Sequence, residues 1–247
     1  MQKRIIAIAS LLLPYYVMAS AQDNGIGVSG SWTQSPYVGK STDFSLMPLI
    51  NYDSKYLFIS GTSGGVHVWQ DGNQQVDITL DYQSLGLKPS DSDDVRVKQL
   101  DRRKSTLLSG VAYTLTTAYG QFSGEVAADV LDNSNTVSVD LEYAAYAQLT
   151  NKLAIIPQLG VTWFNSSHNR YYYGVSEQES LRSGLSTYRP HSGVTPYATL
   201  TATYDFTSKW SAVFEYDFIL LGNQVKSSPI VNRSNTSEIT AGIMYAF

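Results

Sequence analysis

The chain has no cysteine. Disulfides, iron–sulfur clusters and cysteine-ligated zinc are therefore excluded, as is the lipid-modified cysteine that would follow the leader of a bacterial lipoprotein. Histidine is scarce: only His67, His168 and His191 are present, far apart in the sequence. That spacing offers no metal-ligand pattern, so neither a metal nor any other cofactor is expected. Charged residues make up only 15% of the chain. Also missing, beyond the first residues, is an apolar run approaching the roughly 20 residues of a helical membrane span.

What stands at the N-terminus reads as a secretory leader. Lys3 and Arg4 precede an apolar stretch from Ile5 to Ala19 that is broken by Pro14 and ends in Ala19-Ser20-Ala21. The small residues at Ala19 and Ala21 suit cleavage before Gln22, so residues 1–21 are expected to be a signal peptide and residues 22–247 the mature domain. Cleavage removes two of the 17 basic residues and none of the 21 acidic ones, leaving a mature net charge of −6. Nucleic acid is not an expected partner of such a chain.

The mature sequence alternates. From Ser237 to Phe247 the residues Ile239, Ala241, Ile243, Tyr245 and Phe247 point one way, and Glu238, Thr240, Gly242 and Met244 the other. A strand has period two, so this segment has one apolar face and one polar or small face. Similar segments recur at Val137 to Leu149, Leu153 to Trp163, Val194 to Phe206 and Trp210 to Leu220. The first half gives Gly25 to Trp32, Ser45 to Tyr52, Lys55 to Thr62, Gly65 to Gln70, Gln75 to Tyr82, Thr106 to Ala118 and Gln121 to Leu131. Together with 18 tyrosines for interfacial girdles, this is the pattern of an all-β, antiparallel transmembrane β-barrel. A mean hydropathy of −0.15 follows from strands that average two unlike faces.

Twelve strands are expected, with ten as the alternative if one early hairpin is excluded. The segments between Ser45 and Gln70 are short against the 9–11 residues a crossing strand needs, so they either extend into their loops or form a partly crossing hairpin. Starting inward at Gly25, the connections at Asp53-Ser54, Asp71 to Gln74, Tyr119-Gly120, Thr150 to Lys152 and Thr207 to Lys209 are short and fall on the periplasmic side. The external connections are Thr33 to Phe44, Leu85 to Ser105, Asp132 to Asn135, Asn165 to Gly193 and Gly222 to Thr236. Short turns inside and long loops outside are the expected asymmetry of bacterial barrels.

Several strings then resemble the MltA-interacting protein (MipA)/OmpV family of outer-membrane proteins. They are Pro48-Leu-Ile-Asn-Tyr52, Gly64-Gly-Val-His-Val-Trp69, Leu100-Asp-Arg-Arg-Lys-Ser-Thr-Leu-Leu-Ser-Gly110, and Tyr172-Tyr-Gly-Val-Ser176 followed by Ser183-Gly-Leu-Ser-Thr-Tyr188. The resemblance implies a barrel in the bacterial cell outer membrane, in contact with outer-membrane lipid. For the name-giving member it implies a scaffold that brings a murein-degrading lytic transglycosylase together with a murein-polymerising synthase. Other relatives look like surface adhesins or porin-like proteins. No catalytic residues come with the family. A resemblance to bacterial barrels in general also makes Phe247 the expected assembly signal.

On this assignment the acids Asp77, Asp81, Glu125, Asp129, Asp140, Glu142, Asp205, Glu215, Asp217 and Glu238 face the lumen. One reading is a cation-favouring pore. The other, preferred because buried charge needs a partner, is that loop residues Arg96, Lys98, Arg102, Arg103 and Lys104 reach in to pair with them. The loop Asn165 to Gly193 carries Arg170, Tyr171, Tyr172, Tyr173, Arg182, Tyr188 and Arg189, residue types that dominate binding hot spots. They form either an interaction surface or a folded cap over the barrel mouth. His168 and His191 share that loop with Ser166, Ser167, Glu177 and Glu179, but no nucleophile spacing is present, and a surface hydrolase is not favoured. His67 reads as an interior or rim histidine, and Asp91-Ser-Asp-Asp94 as solvated loop acid without the glycine and distal glutamate of a calcium loop. The expectation is thus a non-enzymatic scaffold or envelope interaction protein, with a small or gated pore and a surface adhesin as alternatives. Mass analysis of protein recovered from outer membranes is expected to find Gln22 at the N-terminus; an intact Met1 in the inner membrane would contradict the reading.

Overall fold

The computed structural model describes residues 24–247; the leader and its cleavage site lie outside the described residues. The strands are β1 (Gly25–Gln34), β2 (Thr42–Asp53), β3 (Leu57–Ser60), β4 (Ser63–Asp71), β5 (Gln74–Gln83), β6 (Thr106–Thr117), β7 (Gly120–Asp129), β8 (Val137–Ala144), β9 (Ala147–Gln148), β10 (Leu153–Phe164), β11 (Gly193–Asp205), β12 (Trp210–Leu220) and β13 (Asn235–Ala246). Apart from β8 and β9, each pairs antiparallel with its sequence neighbour, and β13 pairs with β1 over Gly25↔Ala246 to Thr33↔Glu238, so the sheet closes. β8 and β9 are two pieces of one strand, since both pair with β10. Pro157 of β10 stands opposite the break and has no N–H to give; only the Ala145 N–H to Pro157 carbonyl bond, at 3.0 Å, survives there. The wall is therefore a twelve-stranded barrel.

The barrel reverses the usual arrangement of inside and outside. Leu159 is 64% exposed, whereas its neighbour Gln158 is 5% exposed. Phe214 and Ile243 also point outward, and Glu142 and Glu215 point inward, as the alternation requires. Ring pairs mark the rims: Trp32 with Phe44 at the external end, and Phe122 with Tyr143 and Trp210 with Tyr245 near the periplasmic end. Amphipathic rings are stable at that height because one edge is apolar and the other wet.

The short early segments form a partly crossing hairpin. β3 has four residues, meets β2 only at Asn51 to Asp53, and turns back through Gly61, whose φ of 57° lies in the left-handed region that glycine tolerates. Above the turn, the edge of β2 over residues 42–49 has no strand beside it among the described residues. The Ile50 carbonyl accepts from Gly61 on that side, so by alternation Pro48 also faces it, where its missing N–H costs nothing.

The apolar core of this protein is not in the barrel. It sits outside the membrane, where the external loops fold together around Tyr37, Leu87, Val97, Tyr172, Val175 and Ile230. Three helices occur there, α1 (Ser166–Tyr173), α2 (Glu177–Ser183) and α3 (Asn223–Lys226), where the sequence reading gave only loop. Placing an arginine at lipid-facing Leu159 should cost about 2–4 kcal/mol, measured by equilibrium refolding into bilayers. A change no larger than the error would show that Leu159 does not meet lipid.

Candidate functional site in the lumen and cap

Most of the lumen acids form a continuous arc. Glu125 on β7 stands directly opposite Asp140 on β8, and Asp217 on β12 opposite Glu238 on β13. Like charges placed opposite one another destabilise a sheet, so something must compensate them. Small residues let side chains cross strands to do so. A Cβ on Gly110 would lie 2.6 Å from Glu125 Oε1, so glycine there leaves the room through which Glu125 reaches the Thr79 hydroxyl. Gly160 likewise makes room for the Tyr197 ring, whose hydroxyl donates to Asp140 at 3.1 Å and Glu142 at 2.9 Å.

Hydroxyls and amides meet the other members. Thr162 donates to Asp140 at 2.7 Å, Thr199 to Asp217 at 2.6 Å, Thr201 to Glu215 at 3.2 Å and Thr33 to Glu238 at 2.8 Å. Asp77 lies apart, near the periplasmic end, 2.7 Å from His67 Nδ1 and 2.6 Å from the Gln75 amide. His67 is thus an interior histidine. Asp129 is a rim residue that accepts backbone N–H groups from Leu131, Ser134 and Asn135 and so shapes the next turn. Asp205 ends β11 at the periplasmic side.

The preferred pairing with loop bases does not occur. Among the described residues no lumen acid of this arc has a Lys or Arg within salt-bridge distance. Arg96 instead bonds Asp94 at 2.9 Å, and Arg103 bonds Glu179 at 2.6 Å within the cap; Lys98, Arg102 and Lys104 are exposed. The reason is local: the acids closest along the loop, or brought down on it by α2, reach these bases before the lumen can. The Asp91 to Asp94 string is tied up in the same way: Lys88 lies 3.0 Å from Asp91, and the Arg96 hydrogen bond holds the Asp94 carboxyl well below the usual carboxylate range, at about 2.

The cap gathers the tyrosine-rich loop. Asn165 caps α1 by accepting from the His168 N–H at 3.0 Å, and Ser176 with Glu179 forms a reciprocal capping box on α2. Tyr172 and Tyr173 lie in the cap core; Tyr172 donates to the Lys104 carbonyl at 3.1 Å and its own carbonyl accepts from Tyr37. Tyr171 accepts from the Lys104 N–H at 2.8 Å, and Tyr188 donates to the Gln224 carbonyl at 2.9 Å. Arg170, Arg182 and Arg189 remain on the outer surface. The loop is thus divided, with tyrosines turned inward and arginines outward. Sequence reasoning missed the buried Arg103–Glu179 pair, although the Ser-x-x-Glu spacing from Ser176 was a readable helix start.

Two buried cap groups are shifted. Burial holds the His168 imidazole neutral, with its pKa lowered to about 3. Burial alone would raise Glu179, but N–H donors from Ser176 and Asp101 together with the Arg103 guanidinium bring it below the usual carboxylate range.

A closed barrel with an apolar outer face, a polar lumen and long loops on one rim is an outer-membrane β-barrel protein. The profile of the family described as "MltA-interacting protein MipA" matches residues 26–247, and the chain belongs to that family. The MltA-interacting protein of Escherichia coli strain K12 is 37% identical over 223 residues, covering 90% of this chain and 88% of that protein. The 24 kDa outer membrane protein of Pasteurella multocida strain Pm70 is 23% identical, covering 100% of this chain and 99% of that one. The NanC porin structure, at 9% identity and a TM-score of 0.50, covers 90% of this chain and 100% of its own, and shows the shared fold. The protein resides in the outer membrane.

Both cap shifts make stability fall with acidification. His168 has a folded pKa below its unfolded 6.5, so its contribution is complete above pH 6.5 and is lost as pH falls toward about 3. Glu179 has a folded pKa below 4.5, so its contribution is complete above that value and is lost below it. Hydrogen exchange of the α1 and α2 amides should therefore show more frequent opening at low pH than at neutral pH, after correction for intrinsic rates. Unchanged protection would contradict this account.

Proposed function

We propose that this protein is a non-enzymatic scaffold of the cell envelope: a barrel sealed outside by its cap that presents its periplasmic rim to murein enzymes. The observation that carries the reading is the cap. External loops that bury their tyrosines in a shared apolar core favour a closed wall anchor over an open channel. The periplasmic turns are short, and they display Tyr56 and Tyr119 together with Lys55, Lys152 and Lys209. Exposed aromatics of that kind are suitable anchors for a protein partner. Likeness to the MltA-interacting protein supports a lytic transglycosylase and a murein synthase as the partner class. The exposed Arg170, Arg182 and Arg189 are proposed as the external contact surface, while Tyr171, Tyr172, Tyr173 and Tyr188 hold the cap that displays them.

The acidic arc favours a second reading, a cation-selective pore, because carboxylates without basic partners raise local cation concentration. Planar-bilayer recording separates the two. The purified protein should show little steady conductance and should retain a lytic transglycosylase in a pull-down from its own envelope extract. Tyr172→Ala, which empties the centre of the cap, should raise conductance, and Arg182→Ala should leave it unchanged. Stable cation-selective current in the unmodified protein that falls when Asp140, Glu142 and Glu215 are neutralised would decide for the pore.

A further inference from the structure

Beside β2 the wall of the barrel has a window. β3 reaches only Asn51 to Asp53 of that strand before the chain turns back at Gly61 and Thr62. On the far side the Tyr82 N–H donates to the Thr62 carbonyl at 3.1 Å, and β5 ends at Gln83. Above the gap the flanking loops meet, where the Asp93 N–H donates to the Gly39 carbonyl at 2.7 Å and the Ser92 hydroxyl to the Val38 carbonyl at 2.8 Å. The opening is thus framed by residues 42–49 of β2, the β3–β4 turn, the end of β5 and the joined loops. It faces lipid, since Phe44 and Leu46 beside it point outward and are exposed.

The frame offers hydrogen-bond donors. Bonds along an antiparallel strand alternate between its two neighbours, and the Ile50 carbonyl accepts from Gly61 on the window side, so the N–H groups of Phe44 and Leu46 also point into the window. Among the described residues neither has a partner there. Unpaired donors at membrane depth are costly. The Trp32–Phe44 ring pair places the upper end of the window at the lipid boundary, the level at which acyl lipids carry their ester or amide carbonyls.

Behind the window the lumen is apolar. Met47 and Leu49 take inward positions, and no inward position of β1, and none of β2 between Asp43 and Asp53, is charged. Glycines keep this wall low. Leu49 leans across β1 at Gly27 until its Cδ1 lies 2.7 Å from where a Cβ on Gly242 would stand, and Met244 lies over Gly25. Apolar side chains turned into a polar lumen gain stability when an apolar chain covers them.

We propose that the window admits one acyl chain of a lipid from the surrounding outer leaflet: the chain lies inside the barrel along Met47, Leu49 and Met244, and its ester or amide carbonyl accepts from the Phe44 and Leu46 N–H groups. The lipid enters sideways because the cap covers the external mouth. A second copy of this chain, paired edge to edge with β2, would meet the same donors but leave Met47 and Leu49 uncovered. This inference does not depend on the scaffold reading.

Photo-crosslinking tests it. The mature barrel is reconstituted in phosphatidylcholine vesicles containing a trace of phosphatidylcholine with a diazirine on one acyl chain, irradiated, and its adducts are mapped by mass spectrometry. Adducts should form on Met47 and Leu49 as well as on lipid-facing Leu159, and not on Gln158, which faces the lumen away from the window. Met47→Asp sets a carboxylate where the chain lies, so it should cut labelling of Leu49 by at least about tenfold and leave Leu159 labelled. Leu49→Gln, read at Met47, stands in if the first variant fails to fold. Adducts confined to outward residues, labelling of Gln158 equal to that of Leu49, or undiminished inward labelling in the folded variants would overturn the proposal.

Discussion

Inside hydrocarbon a peptide N–H or C=O has no water to bond, and an unpaired one costs several kcal/mol. Pairing β13 with β1 meets that constraint by leaving the sheet almost without edges. Much else follows. Closure forces an outer face that must be apolar and an inner face free to be polar, and hence the alternation that places Leu159 in lipid and Gln158 in the lumen. The exception is the upper edge of β2 beside the short β3–β4 hairpin, and the chain places Pro48 there.

Because the lumen is polar, the hydrophobic effect has to act elsewhere. It acts in the external loops, where Tyr37, Tyr172 and Ile230 come from segments far apart in sequence and pack above the mouth. Cap and lumen are linked by what lies between them. The cap packs over the outer end of the barrel, and groups such as His168 and Asn169 are buried there only because the loops fold over them. The lumen below keeps its carboxyls close through threonine and tyrosine hydroxyls and through the space left at Gly110 and Gly160.

Strand order and the alternation of inward and outward faces could be read directly from the chain, because period-two alternation is a local property and a one-residue slip would exchange every face. Twelve strands followed from the same pattern, including the shortness of the segments around Lys55 to Gln70, and so did the outer-membrane class. The break between β8 and β9 was written into the sequence at Pro157, but its consequence appears only when the register brings that residue opposite Ala145.

The charge partners could not be read that way. Arg96 and Arg103 looked available to the lumen, yet one is taken by Asp94 two residues away and the other by Glu179, which lies more than seventy positions along the chain and arrives on α2. Which base meets which acid depends on loop folding, and loop folding depends on an apolar core assembled from several loops at once. The same is true of the tyrosines in the loop from Asn165 to Gly193, whose composition is equally suited to a surface and to a core. Sequence alone determined the barrel, since backbone hydrogen bonding in lipid leaves a strand-built chain one solution. Only the tertiary structure decided that the tyrosines turn inward and the arginines outward, because burial is a property of the assembled loops and not of any one of them.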